Sequence, residues 1–255
     1  MMTISTFDEL TLEYNTGIIP PPFCHKYKII ITKSNQDKLQ VDLTLEYFDR
    51  DELTEDEIFD EGFSMEDDFE WKGNLPKVWG EEITKRLNAT NWKKKGNRGK
   101  DGSFFKVKLQ NGGTTELLYP DISKNWEILA QEIIQAVFEL GKKEAPLQIK
   151  FHALDKGSQL QNIELTFYFA NQKIELKPDK SIQKSIDWAE GQKLLKYIFN
   201  FDYFPENALD NLPKEAGNYI SPGDGFWYEL APLANTGKDT KERLQKLVDT
   251  LKGLC

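Results

Sequence analysis

The residues with the greatest capacity for chemistry form an acidic insert at positions 49–70. It contains twelve Asp and Glu side chains and a single base, Arg50. Carboxylate oxygens are the ligands that calcium and magnesium prefer, and a dense negative charge also attracts basic protein partners through a long-range field. A solvated acidic segment without a ligand is the third interpretation. The candidates for partner binding are Asp51, Glu52, Glu55, Asp56, Glu57, Asp60 and Glu61.

The spacing of the acidic insert does not match a calcium-binding EF-hand loop. Counted from Asp49, the fifth position is Leu53, and the glycine required at the sixth position is replaced by Thr54. We therefore assign no metal ligands and no cofactor. Disordered acidic segments contain few aromatic residues. The insert is therefore predicted to be ordered and to lie against its domain, because it contains or borders Ile58, Phe59, Phe63, Phe69 and Trp71.

A basic segment at 93–100 has the opposite charge, with five Lys and Arg residues and two glycines in eight positions. Such a loop could contact phosphate groups. The alternative is a surface loop or a counter-charge to the acidic insert. The formal net charge of −9 favours this alternative over phosphate binding. Nucleic acid is therefore an unlikely partner in the prediction.

Few other side chains could serve in catalysis. The chain has two histidines, His25 and His152, and two cysteines, Cys24 and Cys255. Neighbouring strand residues point to opposite faces, so Cys24 and His25 are poorly placed for a catalytic pair. The four residues also lack a recognisable zinc-site spacing. No Walker A loop, Gly-x-Ser-x-Gly turn or His-Glu-x-x-His motif occurs. We assign no catalytic residue and favour a protein that is not an enzyme.

An aromatic run near the C-terminal end is a candidate for small-ligand binding. Trp227 and Tyr228 follow the glycine-rich turn 223–225, and a cleft between two halves of the chain could place them near Trp188. These three residues are the predicted ligand-binding set. The simpler interpretation of the run is a hairpin turn that leads into a core strand.

The strands that must position these residues show alternating apolar and polar side chains. The apolar positions of residues 39–48 recur 122 positions later, and the strand before them keeps the same separation. The matched positions are Tyr27, Ile29, Ile31, Val41, Leu43, Leu45 and Tyr47 in the first copy and Ile149, Phe151, Ala153, Ile163, Leu165, Phe167 and Phe169 in the second. This pattern predicts an internal duplication.

Apolar residues at helical spacing predict helices at about 76–88, 126–140, 181–200 and 236–251. We predict an α+β fold with antiparallel β hairpins and helices packed on one face, arranged as two related halves. Residues 1–22 are predicted to form an edge strand and a proline-rich lead-in. The first half would span 23–142 and carry the acidic insert, and the second would span 146–255.

Composition limits the remaining choices. With 39% hydrophobic residues the chain can bury a core, and no segment reaches the length of a membrane span. The low cysteine count and an N-terminus without signal-peptide features predict the cytoplasm. The favoured function is a non-enzymatic interaction or assembly subunit whose acidic insert binds a basic patch on a protein. The alternatives are a divalent-metal-dependent hydrolase or nuclease and a small-ligand-binding module.

Overall fold

The computed structural model describes residues 7–33, 39–96, 99–154, 161–178, 183–233 and 238–254. The polar stretches 34–37 and 156–158, where the sequence predicts turns between alternating strands, and the terminal Cys255 lie outside the described residues. The chain divides into two compact units, Met1–Glu144 and Ala145–Cys255. Each unit is described separately.

The first unit is built on one antiparallel sheet. Its strands are β1 (Glu9–Asn15), β2 (His25–Lys33), β3 (Leu39–Tyr47), β4 (Phe69–Leu75), β5 (Trp92–Lys93), β6 (Phe104–Asn111) and β7 (Thr114–Pro120). Within the described residues, the order across the sheet is β4, β3, β2, β1, β6, β7, β5. The strand β1 that precedes the proline run therefore lies inside the sheet, between β2 and β6, and not at its edge as predicted.

The unit has three helices, α1 (Glu55–Asp60), α2 (Val78–Ala89) and α3 (Lys124–Leu140). The two longer ones, α2 and α3, pack on one face of the sheet. The apolar stripe of α2 is buried through Trp79, Ile83 and Leu87, as its spacing predicts. The indole of Trp126, at the start of α3, is also fully buried and donates a hydrogen bond to Thr90 Oγ1 at 2.9 Å. The two longer helices thus share one core with the sheet.

The second unit also combines one antiparallel sheet with helices, and its sheet is smaller. Its elements are β8 (Leu147–Leu154), β9 (Gln161–Tyr168), β10 (Lys173–Pro178), β11 (Lys184–Ile186), α4 (Trp188–Ile198), β12 (Gly217–Ser221), β13 (Tyr228–Glu229), α5 (Leu230–Leu233) and α6 (Lys238–Lys252). In the described part of this unit the sheet order is β11, β10, β9, β8, β12, β13. All pairings are antiparallel.

The predicted α+β class with antiparallel sheets is therefore confirmed. One helix prediction was wrong at its start, because the helix expected from position 181 begins at Trp188 and residues Lys184–Ile186 form β11 instead. Asp187 ends the strand by capping α4, since its carboxylate accepts a hydrogen bond from the Ala189 amide at 2.9 Å. The sequence pattern also missed β4 and β10, the strands that pair with β3 and β9.

The two units agree closely in their first hairpins. His25 and Leu147 begin β2 and β8, and Leu39 and Gln161 begin β3 and β9, so both pairs of strand starts lie 122 positions apart. The pairing differs, however. Ile29 lies opposite Leu43 in the first unit, whereas its counterpart Phe151 lies opposite Ile163, two residues away from the equivalent position. The origin of the units by duplication stays a prediction.

No helix among the described residues has both the length and the apolar character that crossing a bilayer requires.

Candidate functional site

The acidic insert is folded over one end of the first sheet, where it connects β3 to β4. Its helix α1 begins with a capping box, in which the Glu57 amide donates to Thr54 Oγ1 and the Thr54 amide donates to the Glu57 carboxylate at 2.8 Å. These hydrogen bonds from Thr54 lower the pKa of Glu57. The last two residues of the predicted insert, Phe69 and Glu70, belong to β4.

Two side chains fix the insert to the sheet. Ile58, on the inner side of α1, is fully buried. Arg50 is only 8% exposed, and its Nε donates to the Pro22 carbonyl at 3.0 Å. Its Nη1 donates to the Ser64 carbonyl at 2.7 Å and to the Asp67 carboxylate at 3.0 Å. The Arg50 guanidinium thus ties both ends of the insert to residues 17–22, named here the proline segment. These contacts of Arg50 are named the clamp.

Aromatic rings complete the environment of this guanidinium. Its central carbon lies 4.1 Å from the ring centre of Tyr47 and 5.1 Å from that of Phe63, which are favourable distances for cation–π attraction. Phe63 also meets Phe23 edge to face at 5.5 Å. The clamp therefore combines charge, hydrogen bonds and ring contacts. The sequence shows Arg50 as the one base among twelve acids, but nothing in the sequence pattern assigned this role to it.

Acid should loosen the clamp through Asp67. Burial raises the pKa of this carboxyl, but hydrogen bonds from Ser64 and the guanidinium of Arg50 outweigh burial and leave the pKa below its usual value. A lowered pKa in the folded state stabilises the fold above the unfolded pKa, about 3.9. We expect this stabilisation to be lost as pH falls through the folded pKa.

Urea unfolding measured between pH 7 and pH 3 checks the role of Asp67. The variant Asp67→Asn should be less stable than the wild type at pH 7 and should lose less stability on acidification. If the free energies of unfolding of the two proteins changed in parallel with pH, this role of Asp67 would be contradicted.

The seven carboxylates proposed to bind a partner, named here the acidic surface, are all exposed. Among the described residues none of them forms an ion pair. Only Glu57 is engaged, in the capping box. Asp60 and Glu61 lie at the C-terminal end of α1, where the helix dipole disfavours negative charge and no base is present. The helix therefore gives no structural reason for acidic residues at these two positions.

Large apolar side chains are exposed beside the acidic surface. Phe59 is 76% exposed and Met65 is 58% exposed. Ile18 in the neighbouring proline segment is 79% exposed. The expectation that Phe59 would pack against the domain was wrong, because α1 turns Ile58 inward and leaves Phe59 on the outside. The segment therefore presents negative charge and apolar area together.

The basic segment begins at the same end of the sheet, but its described bases form no ion pair with the acidic surface. Ile18 joins the proline segment to the loop that follows the basic residues, because its amide donates to the Asp101 carbonyl at 2.8 Å. Lys93 and Lys95 line a separate cleft of about 450 Å³ together with Tyr119 and Glu127. Residues 97–98 lie outside the described part. Among the described residues, no ion pair links the basic segment to the acidic insert.

The predicted ligand-binding aromatic residues do not form one site. Trp188 packs edge to face on Phe169 at 5.2 Å, on the β10 side of the second sheet. Trp227 and Tyr228 lie at its β13 edge and, as neighbours in the chain, point to opposite faces. Tyr228 is buried and donates to Asp224 at 2.6 Å. Burial, followed by this hydrogen bond, raises its pKa to about 12, which is typical of a structural tyrosine.

The residues with catalytic potential are also separated. Cys24 is buried and donates to the Ile19 carbonyl, whereas His25 Nδ1 lies 2.9 Å from the Phe23 carbonyl. His152 belongs to the other unit. Among the described residues, no three His, Cys, Asp or Glu side chains are grouped as metal ligands would be.

Comparison with known proteins adds no assignment: the sequence matches no protein-family model and has no significant match among curated proteins.

Proposed function

We propose that this protein is a non-enzymatic interaction or assembly subunit whose acidic surface binds a protein with a basic patch. One observation carries the proposal. Twelve acidic residues are concentrated in a segment that Arg50 and Ile58 hold in a defined conformation, and its candidate carboxylates point to solvent without ion-pair partners among the described residues. A merely solvated acidic loop would not need a buried clamp.

The apolar side chains beside the acidic surface define the partner further. Steering by charge raises the association rate, but most binding energy comes from buried apolar and aromatic contacts. Phe59 and Met65 supply such contacts on the same segment. A matching partner would therefore carry Lys or Arg residues around an apolar pocket. We place the interaction in the cytoplasm, since the buried thiol of Cys24 is free.

The metal-dependent hydrolase or nuclease remains the second candidate. It requires carboxylates that converge on an ion, yet the acidic residues of α1 are spread around a helix and point outward. Magnesium, manganese or calcium at millimolar concentration should raise the melting temperature if this candidate is correct. We expect no rise.

Affinity capture with matched variants tests the interaction. The insert variant carries Glu52→Gln, Asp56→Asn and Asp60→Asn. The control variant carries Asp202→Asn, Glu206→Gln and Asp210→Asn, which are exposed in the second unit and change the net charge equally. Each tagged protein is incubated with an extract of its native host, and captured proteins are quantified by mass spectrometry at low and high salt.

We expect the wild type and the control variant to capture the same proteins. The insert variant should retain less than about a tenth of them, and high salt should release them from the wild type as well, because salt screens exposed charges. Equal capture by all three proteins would contradict the proposal. Failure of the wild type to enrich any protein would also contradict it.

A further inference from the structure

A second possible site lies in the second unit, on the sheet face opposite α4, and does not depend on the acidic surface. A cavity of about 220 Å³ opens there beside β8, β9 and β10. Strand alternation explains the two faces. Phe151 and Ile163 point into the core, so their neighbours Lys150 and Glu164 point to the opposite face.

Three charges of alternating sign line this cavity. Lys150 lies directly opposite Glu164, and Glu164 lies directly opposite Lys177, on three successive strands. Side chains so placed are close enough to pair. Among the described residues, however, none of the three side chains forms an ion pair or a hydrogen bond. A carboxylate between two ammonium groups therefore remains available to a ligand.

An aromatic wall closes one side of the cavity. Trp227 lines it, and the backbone holds this residue in place, because Trp227 and Leu209 exchange two amide-to-carbonyl hydrogen bonds of 2.9 Å. An indole face attracts both flat groups and ammonium groups. The wall thus offers a contact for the body of a small molecule.

A buried histidine lies behind the same wall. His152 is 5% exposed and meets the Trp227 ring edge to face at 6.5 Å. Its Nδ1 lies 2.5 Å from Oδ1 of Asn162, which also lines the cavity. Its Nε2 is buried and has no partner among the described residues. A buried polar atom without a partner is costly, so a donor from a trapped water would be favoured at Nε2; His152 itself does not line the cavity.

We propose that this cavity binds a zwitterion of amino-acid size. The ligand carboxylate would pair with Lys150, the ligand ammonium would pair with the neighbouring Glu164, and the carbon skeleton would pack on Trp227. Alternating charges favour a molecule that carries both signs, since a simple anion would meet the carboxylate of Glu164 and a simple cation would meet two lysines. The cavity volume of about 220 Å³ has room for a molecule of amino-acid size.

The test begins with the intact protein and each of the twenty common L-amino acids at millimolar concentration. At least one should raise the melting temperature by about 3 °C or more at saturation. Calorimetric titration then measures its affinity for the wild type, for Lys150→Gln and Glu164→Gln, and for the control Lys173→Gln. Lys173 is an exposed lysine of β10 that does not line the cavity.

We expect each cavity variant to bind more than about tenfold more weakly and the control to bind like the wild type. The N-acetyl and carboxamide derivatives of the best amino acid each lack one charge, and both should lose similar affinity. The proposal is overturned if no amino acid stabilises the protein. It is also overturned if the cavity variants bind the best amino acid as tightly as the wild type does. The same holds if the derivatives bind the wild type as tightly as that amino acid does.

Discussion

Replacing Arg50 by alanine should destabilise the protein by about 2–4 kcal/mol, because the guanidinium is buried and its removal takes one hydrogen-bond donor from Asp67 and from each of two backbone carbonyls. Loss of the contact with Tyr47 adds to this cost. The change should be strongest within the insert. Urea unfolding measures the loss of stability, and limited proteolysis should show new cleavage between Asp49 and Asp68.

Two matched variants distinguish the effect of the Arg50 hydrogen bonds from the effect of a positive charge alone. Arg50→Lys keeps the charge but not the fork of donors, so it should recover only part of the lost stability. Lys143→Ala removes an exposed base that contacts the same segment, with its Nζ 3.4 Å from the Asp67 carbonyl. That variant should cost less than about 1 kcal/mol. Comparable losses for Arg50→Ala and Lys143→Ala would refute the clamp.

The second large effect is expected for Ile58→Ala. Deleting buried methyl groups from an isoleucine costs about 2–5 kcal/mol in a core, and Ile58 is the fully buried residue of α1. Release of α1 alone limits the loss, so we expect a value near the lower end. All carboxylates of the acidic surface remain in this variant. Partner capture should nevertheless fall severalfold, since the partner would meet a disordered segment.

Phe59→Ala is the control for this substitution. Phe59 is adjacent to Ile58 but 76% exposed, so the variant should unfold at nearly the wild-type urea concentration. Its capture of the partner should fall, because an apolar contact is lost while the fold is kept. If Ile58→Ala retains full capture, the conformation of the insert is irrelevant to binding and the charge alone is sufficient.

Sequence patterns predicted the parts of the fold that depend on periodicity. Alternation at Tyr27, Ile29 and Ile31 placed β2 and its buried face, and helical spacing placed α2 and α3. The pairing register of the strands could not be predicted from the sequence, for a physical reason. A shift of two residues leaves every side chain on the same face, so the pattern at Phe151 and Ile163 is equally compatible with two registers. Only the three-dimensional structure distinguishes them.

The candidate site was predictable in composition but not in construction. The acidic insert and its seven candidate carboxylates are visible in the sequence. The partners of Arg50 are not, because two of them are the backbone carbonyls of Pro22 and Ser64, and every residue type carries a carbonyl. The cavity of the second unit could not be predicted from the sequence for a related reason. Lys150, Glu164 and Lys177 are distant in sequence and meet only through strand pairing.

The position of β1 decides how far the two units can be alike. Because β1 is antiparallel to both β2 and β6, those two strands run in the same direction. In the second unit β8 is directly antiparallel to β12. No rotation can therefore superimpose β6 on β12 once the first hairpins are aligned. Duplication would account for the likeness of β2, β3, β4 and α2 to β8, β9, β10 and α4, whereas the later hairpins have opposite polarity.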